Sequence, residues 1–182
     1  MSDPLVAAAA AVDDAASVVD AAWQRLGHDV GGGTRRVGGG ALDDHQVLAY
    51  DLAHAASAVE AARVMVEYGA GGEYEALLAR CFVADAVADV AARLVGREAL
   101  WGVEAADLSG TLPFLEAHRS PVFLAEVAAH LATAGSGPAH LGDEFELVRD
   151  TFHRFAADRI RPVAERVHRE NTDIPEEIIE GL

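Results

Sequence analysis

The pattern that most constrains this chain is a set of apolar positions spaced alternately three and four residues apart near its start. Leu5, Ala8, Val12, Ala15, Val19, Ala22 and Leu26 repeat in this way. Such spacing puts every member on one face of a helix but on both faces of a strand, so only a helix buries them together. Two further runs follow: Leu48, Leu52, Ala55, Val59, Ala62 and Val66, then Val83, Val87, Val90 and Leu94. Runs that alternate in the manner of a strand are absent. Alanine supplies much of the apolar content, which favours helices and lets their axes approach closely. The expected fold class is all-α.

Punctuation between the runs sets the expected boundaries. Ser2 can cap the first helix, with Pro4 in its first turn and Gly27 as its end. Residues 27–40 read GHDVGGGTRRVGGG and are expected to be a linker. A phosphate-binding loop is excluded, because no Lys-Ser/Thr pair follows and no strand precedes, and the dinucleotide fingerprint fails for the same reason. Asp43 or Asp44 is expected to start a second helix that runs to Tyr68, with Gly69 as its stop. Gly71 and Gly72 make the turn into a third, so residues 43–102 form an antiparallel hairpin. Asp89 and Arg93 can pair at i, i+4 on the outside of that third helix. A short helix is expected after Thr111, and another with Ser120 as N-cap and Pro121 at N1, ending near Gly135. The stretch GSGPAHLG, residues 135–142, is the expected domain boundary.

Beyond it, Val148, Phe152 and Phe155 make one apolar stripe, and Asp143, three residues before Glu146, is the expected N-cap. Pro162 has no N–H to give the ladder and should bend or break this helix. A last helix is expected from Asp173 as cap, Pro175 in the first turn and Glu176 at N3. Ile174, Ile178, Ile179 and Leu182 would form its apolar face. A domain seldom ends on a bare stripe, so the expectation is a truncated domain over 143–182.

Charge and cysteine usage narrow the function classes. The formal charge is −16 and all fourteen basic residues are arginine. An acidic chain without a basic stripe is a poor partner for nucleic acid or an anionic membrane. No uncharged apolar stretch is long enough to span a bilayer, and the interrupted N-terminal alanine run is not a signal peptide. The single cysteine, Cys81, excludes an internal disulfide and reads as a buried, inert thiol among Leu77, Leu78, Phe82 and Val83. A cytoplasmic protein is the expectation.

No residue set announces chemistry. Glu165 and His168 make one E-x-x-H pair, and Glu126 and His130 stand one turn apart, but di-iron bundles need two such motifs plus further carboxylates. His45 and His54 fall on opposite helix faces, and His118, His140 and His153 have no acidic partner at ligand spacing. No catalytic triad or metalloprotease motif is present. The site residues named are therefore none: none catalytic, none cofactor-binding and none for metal.

Several short elements do carry a likeness. Arg149-Asp150, Phe155-Ala156, Ile160-Arg161-Pro162, Ala164-Glu165, Arg169-Glu170-Asn171 and Ile174-Pro175-Glu176-Glu177 ahead of Gly181-Leu182 resemble, in that order, the opening helices of the acyl-CoA dehydrogenase family. The stretch from Gln46 through Leu52-Ala53, Val59-Glu60-Ala61-Ala62-Arg63 and Tyr68, with Ala79-Arg80-Cys81-Phe82-Val83-Ala84, is similar to two helices of that family's carboxy-terminal bundle. There the second helix leads to a Gly-rich segment that touches the flavin of a neighbouring subunit. Here Arg97-Glu98-Ala99-Leu100-Trp101-Gly102 stands without paired glycines, so only the hairpin is carried over. A helical extension ahead of the dehydrogenase start looks like the arrangement of the methylsuccinyl-CoA dehydrogenases.

The resemblance implies a helical bundle extension, residues 1–142, followed by the first helices of an acyl-CoA dehydrogenase N-terminal domain, 143–182. It implies a parent enzyme with FAD as cofactor, an acyl-CoA substrate, an electron-transfer flavoprotein as electron acceptor, and a homo-oligomeric state. The family's catalytic glutamate and flavin-holding segments would lie downstream, so this chain alone should be inactive. The alternatives are a stand-alone helical interaction module and, more remotely, a di-iron bundle.

Overall fold

The computed structural model describes residues 4–31 and 42–181, and every regular element among them is helical. These residues divide into two compact units, 1–137 and 138–182.

The first unit is built on three long helices: α1 (Pro4–Gly31), α2 (Gln46–Gly69) and α3 (Glu73–Leu94). The three seams read from the sequence are its core, except that Leu5 and Val66 at their ends are only half-buried. Ala8, Val12, Ala15, Val19, Ala22 and Leu26 of α1 are buried with Leu48, Leu52, Ala55, Val59 and Ala62 of α2, and with Val83, Val87, Val90 and Leu94 of α3. Leu52 has no exposed surface at all. Alanine at so many seam positions is what lets three backbones share one thin core.

Helix α1 does not stop at Gly27. That glycine lies on the exposed side, where a helical Gly costs about 1 kcal/mol relative to Ala. One turn further, Val30 is buried in the core and prolongs the seam, so the helix runs to Gly31. The expected linker 27–40 therefore begins inside a helix; Ser2 and residues 32–41 lie outside the described residues. Helix α2 starts at Gln46 rather than at Asp43 or Asp44. His45 occupies the cap position without a side-chain cap bond, and Asp43 Oδ1 instead accepts from Gln46 Nε2 at 3.2 Å. Gly69 is the last residue of α2, and its role is packing: a Cβ there would come within 2.8 Å of both Ala79 Cβ and Leu5 Cδ2. Only glycine lets α1, α2 and α3 converge at that point.

Beyond α3 the chain makes a short helix α4 (Glu98–Trp101), a 3-10 turn (Ala105–Thr111), α5 (Leu112–His118) and α6 (Pro121–Ala134). Ser120 caps α6 as expected, its Oγ accepting from Phe123 N at 3.2 Å with Pro121 at N1. Phe123 and Val127 of α6 close over Leu77 of α3 as a second, smaller core.

In the second unit, α7 (Asp143–Phe155) is capped by Gly142 and not by Asp143, which is already the first helical residue. Asp143, Glu144 and Glu146 still place negative charge on the first turn, where it complements the helix dipole. Pro162 has the expected effect in an unexpected form. The chain widens into a π-turn, Ala156–Ile160, in which Arg161 N–H reaches Ala156 O, and α8 (Arg161–Glu170) then begins with Pro162 in its first turn. Asn171, with φ of 49°, ends α8.

The last helix, α9, is only Glu176–Ile179, with Pro175 and not Asp173 at the cap. The expected single face is divided: Ile178 is buried, while Ile174 and Ile179 are exposed, and Leu182 lies outside the described residues. Ile174 precedes the helix, so it cannot share a helical face with Ile178. Gly181 closes against the Phe155 ring, where a Cβ would stand 3.0 Å from the ring edge.

Candidate functional site

An open cleft of about 870 Å³ lies at the turn between α2 and α3, walled on one side by α6. Gly69, Ala70 and Gly72 form its rim, Leu5, Ala76 and Leu77 its apolar floor, and Glu73, Tyr74, Arg80, Glu126 and His130 its polar groups. The antiparallel hairpin brings the start of α3 opposite the second half of α6, so these groups meet although they are far apart in sequence.

Tyr74, His130 and Arg80 are each held by a neighbour. The Tyr74 hydroxyl donates to Gly135 O at 2.5 Å, tying α3 to the end of α6. Its ring stacks on His130, centroids 5.8 Å apart. His130 Nδ1 lies 3.0 Å from the Glu126 backbone carbonyl, so that nitrogen is engaged by its own helix. Arg80 Nε donates to Ala76 O at 3.1 Å, and the guanidinium stands 5.4 Å from the centroid of Phe123. That is an edge of cation–π reach. The lining includes no Ser, Thr or Cys side chain to serve as nucleophile. The arrangement holds two carboxylates, a guanidinium, a phenol and an imidazole around apolar residues.

Glu126 and His130, one turn apart on α6, thus share a cleft wall, but no third ligand joins them. Among the described residues no group of three or more His, Cys, Asp or Glu is disposed to hold a metal. Glu165 pairs with Arg169 on the solvated face of α8, and His168 is exposed. Arg80 and Tyr74 are the members of the cleft that sequence reading passes over; each looks like an ordinary helix-surface residue until α6 folds across.

Two further groups are perturbed by their surroundings. His118 sits between the rings of Phe114 and Phe123, 4.3 Å and 4.9 Å away by centroid, with Nδ1 3.0 Å from Phe114 O. Burial lowers its pKa, and the nearby Arg80 charge lowers it further, against the raising effect of the Phe114 carbonyl. Cys81 is half-buried rather than fully buried, and burial, followed by the Asp85 charge, pushes its thiol pKa up. A thiol held protonated is a poor nucleophile.

The corner at 97–102 bears on the flavin. Asp51, buried on α2, pairs with Arg97 and lies 3.6 Å from Arg93, which also binds Asp89 at 2.7 Å. The expected Asp89–Arg93 pair is therefore one part of a network that clamps the end of α3 to α2. Trp101 has no exposed surface, and its Nε1 has no hydrogen-bond partner. Gly102 adopts φ of 73° and lies beneath the Arg25 guanidinium, which a Cβ would overlap. A cofactor ring approaching this segment would meet Arg25 and not open backbone. The corner 97–102 therefore lacks the open glycine backbone of the family's flavin-touching segment.

Among the described residues no helix is long and apolar enough to cross a membrane. No family model and no solved structure matches the chain. It is similar to the (2S)-methylsuccinyl-CoA dehydrogenase of Cereibacter sphaeroides, 28% identical over an alignment of 165 residues that covers 81% of this chain. The chain spans 30% of the length of that enzyme, and its likeness to the acyl-CoA dehydrogenases is that of a distant relative.

Proposed function

We propose that this chain is the helical N-terminal part of an FAD-dependent acyl-CoA dehydrogenase, an oxidoreductase that acts on the α,β bond of an acyl-CoA thioester, with methylsuccinyl-CoA as the candidate substrate. The observation that carries this reading is the similarity to (2S)-methylsuccinyl-CoA dehydrogenase, which extends over 81% of the chain and so includes more than the dehydrogenase-like segment at its end. In this reading residues 1–142 are an extension with a structural or subunit-contact role, and 143–182 open the dehydrogenase α domain. Catalytic base and flavin contacts belong to segments that follow. The parent would be a homo-oligomer in the cytoplasm that passes electrons to an electron-transfer flavoprotein.

A second reading is a helical interaction module without catalysis. The cleft supports it, since its polar groups surround an apolar floor of the kind that binds a partner's side chain. One experiment separates the two. The gene product that contains these residues, expressed at its natural length, should carry the visible bands of bound flavin, and anaerobic (2S)-methylsuccinyl-CoA should bleach them. A colourless product would overturn the dehydrogenase reading. A yellow product bleached only by another acyl-CoA would keep the class and change the substrate.

A further inference from the structure

His118 stands between two cores. Phe114 of α5 belongs to the core of the three long helices, whereas Phe123 of α6 belongs to the smaller one that it forms with Val127 and Leu77. The imidazole lies between the two rings, 4.3 Å from Phe114 and 4.9 Å from Phe123 by centroid. The Phe123 ring is itself shared, because the Arg80 guanidinium stands 5.4 Å from its centroid. Helix α6 is held by little else. Phe123 and Val127 are its buried residues among fourteen, and Tyr74 ties only its far end, through Gly135 O and the His130 ring. An element with so few buried side chains sits at the low end of local stability.

We propose that His118 is a proton-operated latch for α6. The neutral imidazole, wedged between Phe114 and Phe123, keeps α6 on α3; the protonated ring becomes a second cation against Phe123, beside Arg80, and releases it. The inference concerns residues 1–137 alone and stands apart from the dehydrogenase reading. One cation over an aromatic face is attracted to it. Two cations on one ring repel each other, the more so in a half-buried place where water screens them poorly, and charging an imidazole there forfeits part of its hydration. The Phe114 carbonyl accepts from Nδ1, so the second proton arrives at Nε2.

The other charges around the imidazole do not offset this. Asp14 of α1 lines the same cavity as His118, but its carboxylate lies against Gly110, where a Cβ would stand 2.6 Å from Oδ2. Asp85 of α3 is 3.4 Å from Arg119, and the Cys81 thiol of α3 is held protonated. Glu116 of α5 is exposed, and Glu126 and His130 of α6 line the cleft instead. Burial, first, and the Arg80 charge both disfavour the proton on His118, against the Phe114 carbonyl. A latch whose closed form disfavours the proton is fully closed above pH 6.5 and weakens below it, by at most about tenfold per pH unit for one proton. Released, α6 is a fourteen-residue helix, marginal by itself in water. Opening takes Glu126 and His130 from the cleft wall and uncovers Leu77, while the core of α1, α2 and α3 remains.

Hydrogen exchange read by mass spectrometry on the 182-residue chain tests this, with each rate referred to that of the unfolded chain at the same pH. Between about pH 7.5 and about pH 5.5, amides of residues 125–134 should lose protection several-fold, up to about tenfold. Those of residues 48–66 in α2 should keep theirs. His118→Phe preserves an aromatic ring without a titrating nitrogen and should abolish the step; should it fail to fold, His118→Gln serves instead. Arg80→Gln should shrink the step, and His130→Gln, which removes the imidazole on α6 itself, should leave it in place. Equal protection of wild-type α6 at both pH values, or a step shared equally by α2, would overturn the proposal. So would a step that survives the change at 118, stays undiminished in Arg80→Gln, or vanishes with His130.

Discussion

Replacing Leu52 by Ala removes three carbons from a side chain with no exposed surface at the centre of the three-helix core. The transfer part is about 0.8 kcal/mol per buried carbon, or roughly 2.4 kcal/mol. The rest depends on whether neighbours can fill the space. The surrounding core is mostly Ala and Val, whose short side chains cannot swing into a gap, so most of the cavity should persist. An unrelaxed cavity of roughly 60 Å³ adds about 1.4 kcal/mol. The expected loss is about 4 kcal/mol. Both tryptophans of the chain, Trp23 and Trp101, lie in the first unit, so fluorescence-detected urea unfolding reports that unit alone. With a slope of about 2 kcal/mol per M, the midpoint should fall by about 2 M. The exposed Val64→Ala should change it by less than about 0.5 kcal/mol. A loss below about 1 kcal/mol at Leu52, with the slope unchanged, would mean that α2 does not present this seam to α1 and α3.

Other positions test other terms. Gly69→Ala should cost about 1–3 kcal/mol in the same assay, although Gly to Ala within a helix ordinarily gains about 1, because the new methyl overlaps Ala79 and Leu5. His118 has a folded pKa below its ordinary 6.5, so the unfolded chain takes up the proton first as pH falls. Stability present above pH 6.5 should then be lost as pH drops towards the folded pKa, and His118→Phe should flatten that part of the unfolding midpoint against pH. Cys81 should react with iodoacetamide more slowly at neutral pH than a free cysteine does, and urea should abolish the difference; equal rates would mean an open thiolate.

The core was legible because burial itself writes the three-four spacing. Leu48 to Val66 and Val83 to Leu94 are seams first and propensity second. Helix ends were harder to read, since several signals of similar size compete there. Gly27 carries a stop signal worth about 1 kcal/mol, and burying Val30 outweighs it. Asp43, Asp143 and Asp173 all sit near a helix start, yet Gly142 takes the cap in one case because its extended backbone suits that position, and Pro175 in another. The cleft was illegible for a different reason. Tyr74 and Arg80 belong to one helix and His130 to another, fifty or more residues further along the chain, and no periodicity links them. Glu126 and His130 could be picked out only because one helix carries both.

The π-turn at 156–160 has a consequence for how such chains vary in length. The apolar positions of α7 and α8 run Val148, Phe152, Phe155, then Ile160, Val163 and Val167. The step from Phe155 to Ile160 is five residues, one too many for an ordinary helical turn. The widened turn absorbs that extra residue, so the stripes before and after it stay in phase. Losing one residue between 156 and 160 would leave a step of four, which a regular helix accommodates on the same face. A deletion of a single residue is therefore nearly silent at the π-turn, and relatives of this chain can be one residue shorter at that point and keep these apolar positions on one face.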